Sequence, residues 1–313
     1  MARNVRIATL GPPPLTMGPA QSPDALVARA IEHWRYWFEQ VLPDVPDLIV
    51  VPELCDQYPD APEPLVSAYR ASGHKVMEFF AGVARGRRCY IVYPSIVQMP
   101  DGTRRNAGTV LDRDGCIAGQ YYKNHLVIHE NAQHGLLYGR RAPIINCDFG
   151  RLACAICFDL NFNELRMQYV LAKPDLIVFP SMYHGGLSQS IWAYTCRCHF
   201  VGAVSGLPCE IRNPFGQVLH SSTNYRPYVV GDVNLDCCMA HLDENWEKLR
   251  LLKARHGPNV TILDPGLFGV VLISSLADGI GAREMAAEFE IELLDDYLSR
   301  SLTHRHAPGH MEN

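Results

Sequence analysis

Short apolar runs alternate along this chain with longer stretches in which apolar residues recur every three or four positions. Residues 5–10 predict a strand that stops at the prolines of GPPP. Ser22 and Pro23 then predict a helix start, a capping hydroxyl with proline in the first turn. Leu26, Ala30, Trp34, Phe38 and Val41 follow near helical spacing, which predicts a helix lying on a sheet. Residues 48–51 are a β-branched run closed by proline, 64–85 predict a second helix, and 90–97 predict another buried strand.

From there the texture changes. Residues 107–111 and 117–122, joined by an Asp-Gly turn at 112–115, predict a hairpin. Strands are predicted over 151–158, 176–180 and 200–205, with helices near 162–172 and 188–199. The string NPFGQVLHSS (213–222) repeats the hairpin texture, and 228–233 adds one more strand. The last seventy residues are mostly helical in pattern, interrupted by GPNVTILDPG (257–266). No linker, low-complexity stretch or repeat breaks the chain. The pattern predicts one α/β domain over 1–313, buried strands and hairpins covered by helices, with 237–313 a mostly helical extension.

Composition narrows the function classes. The chain has 313 residues, 48% hydrophobic and 19% charged, a globular balance with no apolar run long enough to span a bilayer. A net charge of −5 argues against nucleic-acid binding, which wants a basic face. The start, MARNVRIATLG, lacks an apolar stretch of signal length, and eleven cysteines read as reduced thiols, so a cytoplasmic protein is expected.

Three chemistry-bearing residues stand in or beside apolar stretches. Glu53 follows the run in DLIVVPELC, Lys123 lies in YYKNHL, and Cys157 ends the run in RLACAICFDLNFNELR. Charges in such places are costly unless they serve one another. A lone cysteine after a strand is ordinarily core packing. Here, however, the apolar run stops, Asp159 follows, and a helix begins near Phe162, so the thiol sits at a strand–turn–helix junction beside free N–H groups. That setting, with a nearby lysine, is expected to lower the thiol's pKa, while burial raises that of the glutamate.

The segments VPELC (51–55), YYKNHL (121–126) and AICFDLNFNELR (155–166) resemble, in order, the three signature segments of the nitrilase, or carbon–nitrogen hydrolase, superfamily. Seventy residues separate Glu53 from Lys123 and thirty-four separate Lys123 from Cys157, spacings similar to the family's. PDLIVFPSMYH (174–184), Trp192, Arg197 and the NPFGQVL hairpin extend the likeness to about residue 236. The resemblance implies a two-sheet αββα sandwich with mixed parallel and antiparallel strands. It implies Cys157 as nucleophile, Glu53 as proton carrier, and Lys123 with the Phe158 backbone N–H as oxyanion stabilisers. Glu130 is the only glutamate between Lys123 and Cys157 and takes the place of the family's second active-site glutamate.

Phe158 and Asp159 stand where true nitrilases of the family carry tryptophan and glutamate, so amide hydrolysis releasing ammonia or an amine is the expected reaction. Hydrolysis of N-carbamoyl compounds or of nitriles are the alternatives. Asn161 and Asn163 replace the family's usual arginine and proline, and losing an arginine that can grip a carboxylate weakens the carbamoylase reading. Substrate contacts are expected from Tyr58, His125, Asp159, Met182, Tyr183, His184 and Trp192, aromatic or polar residues on loops leaving the strands. No metal or cofactor is called for. A non-catalytic dithiol or metal protein built on Cys154 and Cys157 is disfavoured, because residues three apart on a strand face opposite ways. The family commonly associates through stacked sheets, so a homo-oligomer based on dimers is expected. The tail bears a matching face of Met285, Phe289, Leu293 and Leu294.

Overall fold

The computed structural model describes residues 3–20, 22–71 and 74–312. The chain divides into two compact units, one of residues 5–233 and one of residues 1–4 with 234–313.

The larger unit is built on two six-stranded sheets. The first sheet contains β1 (Asn4–Leu10), β2 (Leu48–Val50), β3 (Tyr90–Gln98), β4 (Arg104–Leu111), β5 (Ile117–Tyr122) and, further along the chain, Tyr228–Asn234. The second runs through β6 (Ile145–Cys147), β7 (Gly150–Cys154), β8 (Leu176–Ser181), β9 (His199–Val204), β10 (Glu210–Arg212) and β11 (Val218–Ser221); Tyr228–Asn234 is β12. The spatial orders are β12-β1-β2-β3-β4-β5 and β11-β10-β9-β8-β7-β6. In each sheet the central strands are parallel (β1-β2-β3 and β7-β8-β9) and the hairpins antiparallel, the mixed arrangement expected.

Helix α1 (Pro23–Val41) starts at Ser22, whose Oγ accepts the Ala25 N–H at 3.3 Å, with proline in the first turn. Its buried face, Leu26, Ala30, Trp34, Phe38 and Val41, is the one the spacing predicts. With Val76, Phe80 and Ala84 of a later helix, it packs on Ile49, Ile91 and Tyr93 of the first sheet. The predicted helix 64–85 corresponds to α2 (Glu63–Ala71) and α3 (His74–Arg87); residues 72 and 73 within it lie outside the described residues. Beyond the short α4 (Ile128–Ala132), α5 (Asn163–Ala172) and α6 (Leu187–Cys196) bury Leu165, Tyr169 and Trp192 beside the second sheet.

The two sheets approach closely. Gly108 of β4 faces Cys154 of β7, where a Cβ would come within 2.7 Å of the cysteine sulfur. The Thr9 hydroxyl crosses from β1 to donate to the Gly202 carbonyl at 2.8 Å. The result is an αββα sandwich.

Two expectations need correction. The strand predicted over 151–158 ends at Cys154, and Cys157–Asn161 form a 3₁₀ turn. The tail is also more than helices. Residues 234–312 hold α7 (Trp246–His256), α8 (Ala282–Glu288) and α9 (Leu294–Arg305) with a three-stranded antiparallel sheet, β13 (Cys237–His241), β14 (Val260–Leu263) and β15 (Val270–Ser275). Its own core joins Cys238, Val271 and Ile273 to Leu252, Met285 and Ile291. Among the described residues, no helix is long and apolar enough to cross a membrane.

Candidate active site

The site lies where strands of both sheets end. Glu53 follows β2, Cys157 follows β7, Met182 follows β8, and Lys123 follows β5. Strand β5 is antiparallel to β4 and β4 to β3, so β5 runs the same way as β2 and β3. The carboxyl ends of parallel strands are the usual place for a ligand in open α/β sheets.

Lys123 is the hub. Its ammonium donates to Glu53 Oε1 and to Glu130 Oε2, each at 2.8 Å, with 2% of its side chain exposed. Glu130 also accepts the Val127 N–H at 2.8 Å. Burial alone would lower the lysine, but Glu53 and then Glu130 outweigh it and raise its pKa. Burial opposes Glu130's ionisation too, yet the Lys123 charge and its hydrogen bonds hold that carboxyl below the ordinary range. An ammonium has three donors. Among the described residues two are used, which leaves the third to meet a developing anion.

Sequence reasoning missed one member. Asn106, fully buried on β4, donates from Nδ2 to Glu53 Oε1 at 2.8 Å and to Glu130 Oε1 at 3.0 Å, while its Oδ1 has no partner among the described residues. In RRNAGTVL it reads as an ordinary hairpin polar residue; the only signal was a polar side chain entering an apolar run.

Cys157 adopts a left-handed backbone, φ 47°, a conformation that costs a residue with a side chain about 1–2 kcal/mol. Asp159 holds it there. That carboxylate is fully buried and accepts the Ile156 N–H (2.9 Å), the Tyr121 hydroxyl (2.7 Å), the His125 N–H (2.8 Å) and His125 Nδ1 (3.0 Å). The thiol lies beside the Glu53 carboxylate, the Lys123 ammonium and the Met182 backbone, each of which acts on its pKa. The Phe158 N–H is at the second position of the 3₁₀ turn, where a helix offers no internal acceptor.

The expected fall in the thiol's pKa is reversed. Burial, then the charge of Glu53, push it up to about 12 against Lys123 and the Met182 N–H. One ammonium between two carboxylates leaves a net negative neighbourhood, so the thiol stays protonated at neutral pH.

A cavity of about 500 Å³ reaches Glu53 and Glu130 and is lined by Tyr58 and Met182 among the expected contacts. The Tyr58 hydroxyl donates to the Leu26 carbonyl, so only its ring is presented. Tyr183 is close enough to Cys157 that burial and the thiolate charge raise its phenol to about 12, and its oxygen accepts from Asn161. Four expected contacts turn elsewhere. Asp159 has no oxygen left for a ligand, and Trp192 is buried with its indole N–H on the Leu160 carbonyl. His184 faces Glu210 at 3.4 Å, and His125 stacks on Phe162 while bridging Asp159 and Glu164.

The carbon–nitrogen hydrolase family model matches residues 6–201. The chain belongs to that family. This carbon–nitrogen hydrolase is 23% identical over 266 residues to the chloroplastic omega-amidase of Arabidopsis thaliana, covering 75% of the chain and 70% of the relative. It is 25% identical over 186 residues to the human deaminated glutathione amidase, covering 52% of the chain and about half (54%) of that protein. In fold it is similar to a mutant of the amidase from Nesterenkonia sp. AN1, with TM-score 0.59, 16% identity, and 74% and 90% of the two chains covered. That amidase carries the acetamide moiety of fluoroacetamide covalently added at its active-site cysteine. The chain is thus a hydrolase of carbon–nitrogen bonds other than peptide bonds, in the nitrilase superfamily.

Two predictions arise from these contacts. Asn106→Ala removes the clamp between the two glutamates and should lower kcat of the hydrolase about 10- to 100-fold in steady-state assays, against a loss of about 1–3 kcal/mol on chemical denaturation. A kcat unchanged in that variant would show that the clamp is only structural. His125 gives a pH dependence. Burial lowers its pKa, but the hydrogen bonds and charges of Asp159 and Glu164 outweigh it, so the folded value lies above the ordinary 6.5. A raised histidine contributes its full stability below the unfolded pKa and loses it as pH rises through the folded one. The Tm gap between wild type and His125→Gln should therefore be widest below about pH 6.5 and narrow as pH rises past that point. A gap that widens toward alkaline pH would reverse the assignment.

Proposed function

We propose that this hydrolase cleaves the C–N bond of a small amide through a thioester on Cys157. As the sulfur attacks the carbonyl carbon, its proton passes to Glu53, and the carbonyl electron pair moves onto oxygen to give a tetrahedral oxyanion. The remaining Lys123 N–H and the Phe158 backbone N–H receive that oxyanion. Collapse breaks the C–N bond, and Glu53 hands its proton to the departing ammonia or amine. Glu53 then takes a proton from water as the water oxygen attacks the thioester carbon. The second tetrahedral intermediate collapses with cleavage of the C–S bond, the acid leaves, and Glu53 returns the proton to the Cys157 sulfur. The raised thiol pKa fits this order, because the proton leaves during attack rather than before it.

The observation that carries the reading is a buried lysine bonded by two buried glutamates, beside a thiol on a left-handed turn whose pKa both the lysine and Glu53 influence. Two relatives are amidases by name, and the Nesterenkonia amidase takes an adduct on its cysteine; both support the same reading. An ammonia-release screen over small amides, N-carbamoyl compounds and nitriles tests it, with the Cys157→Ala protein as blank. Release from amides by wild type alone is the expected outcome. Release from nitriles or carbamoyl compounds only would move the chain to another branch, and equal release by the blank would end the thioester reading.

A further inference from the structure

The cavity that reaches Glu53 and Glu130 also carries two guanidiniums that the thiol chemistry does not use, those of Arg70 and Arg104. Arg104 opens β4 two residues before Asn106. Alternate residues of a strand share a face and lie about 7 Å apart. Arg104 therefore stands one repeat along the strand from the residue that bonds both glutamates. It is held in place at both ends: its Nη2 donates to the His134 carbonyl at 2.5 Å, and its own carbonyl accepts the Leu137 N–H at 3.0 Å. Among the described residues, no carboxylate pairs with its guanidinium.

Arg70 reaches the same wall from α2. Its nearest carboxylate, Glu63, is 3.4 Å away and 68% exposed, and its Nε donates to Gln57 Oε1 at a long 3.4 Å. Burial holds its pKa below the ordinary value; Glu63 attracts its charge and Arg104 repels it. Two cations on one partly buried wall repel each other, and an anion between them removes that cost. The other acids of the cavity are engaged, Glu53 and Glu130 with Lys123.

We propose that Arg104, assisted by Arg70, forms a carboxylate-binding subsite, so that the substrate is an amide whose far end carries a carboxylate. This rests on the amidase reading for the reacting end. A guanidinium presents paired N–H donors that match a carboxylate bidentately, and it stays charged at any working pH. A neutral amide of the same length would leave the two positive charges of this wall uncompensated, and a cationic one would add a third. The carboxylate grip that Asn161 no longer offers would thus come from the opposite sheet.

The test compares butanamide with the monoamide of butanedioic acid, equal in chain length and different in charge. We expect wild type to favour the anionic compound at least about 10-fold in kcat/KM, and Arg104→Gln to cut the anionic-to-neutral ratio about 10- to 100-fold, the worth of a charge-assisted hydrogen bond. Calorimetric binding of the monoamide to Cys157→Ala, with and without Arg104→Gln, reads the subsite without turnover and should weaken by a similar factor. A ratio near one in wild type, or a ratio and an affinity unmoved by Arg104→Gln, would overturn the subsite. If neither compound is hydrolysed but the monoamide binds Cys157→Ala in an Arg104-dependent way, the subsite stands and the amidase reading falls. Absence of binding removes the subsite itself.

Discussion

Replacing Cys157 with alanine is expected to abolish turnover, lowering kcat by a factor on the order of 10⁴–10⁶ while the protein stays folded. The other thiol lining the cavity, that of Cys55, is buried and pushed well above the ordinary thiol pKa by burial and by Asp56, so it is a poor substitute for Cys157. The same position predicts an opposite effect on stability. At φ 47° any side chain is strained and glycine is not. Cys157→Gly should thus be as inactive as Cys157→Ala yet no less stable, by up to about 1 kcal/mol or roughly 2–4 °C in Tm, after allowing for glycine's entropy in the unfolded chain. Thermal melts of the two variants check this. A Cys157→Gly protein that melts well below Cys157→Ala would mean that the turn is not strained. Activity retained in either would remove the nucleophile.

Lys123→Met should fail in two ways at once. Without the ammonium, Glu53 and Glu130 face each other, both buried and both held by Asn106. Breaking a buried ion pair on one side costs about 3–5 kcal/mol, and losing an oxyanion donor costs about 10²–10³ in kcat. The sign of the pH dependence separates this from simple loss of packing. In the native protein Glu130 lies below its ordinary 4.5, so its stabilising contribution is present above that pH and is lost as pH falls through the folded value. In Lys123→Met the same carboxyl keeps its neutral hydrogen bonds but is desolvated without an opposite charge, beside Glu53, and must rise. The variant should gain stability as pH falls from about 7 to 5, where wild type gains none from this group. Adding Glu130→Gln should recover part of the stability and none of the activity. Denaturation curves at several pH values decide it, and a Lys123→Met protein that weakens in parallel with wild type on acidification would contradict the account.

Much of this site was legible because each of its three charged or nucleophilic residues follows an apolar run at a strand's end. Glu53, Lys123 and Cys157 could be picked out by type and position, and Glu130 by elimination within its interval. Helix α1 was equally plain, with Ser22, Pro23 and an unbroken apolar face. Direction was not legible. Asp159 stands two residues from the thiol, yet it turns inward to satisfy four donors. Trp192 and His184 likewise spend their polar atoms on the protein. Asn106 acts through partners 53 and 24 residues away, contacts that no local pattern encodes. The thiol's pKa went the other way because it depends on net charge: the lysine that should lower it is already neutralised by two glutamates. The tail sheet escaped notice because its strands are four to six residues long and lie between stronger helical patterns.

The central claim is a covalent acyl group on Cys157 during turnover of an amide. Its most direct test is acid quenching of wild-type enzyme in the steady state, followed by intact mass measurement and sequencing of the tryptic peptide 152–166, which holds both Cys154 and Cys157. The account predicts a mass increase equal to the substrate's acyl group, located on Cys157. Ammonia release with no adduct, or with the acyl group on any other residue, would contradict it.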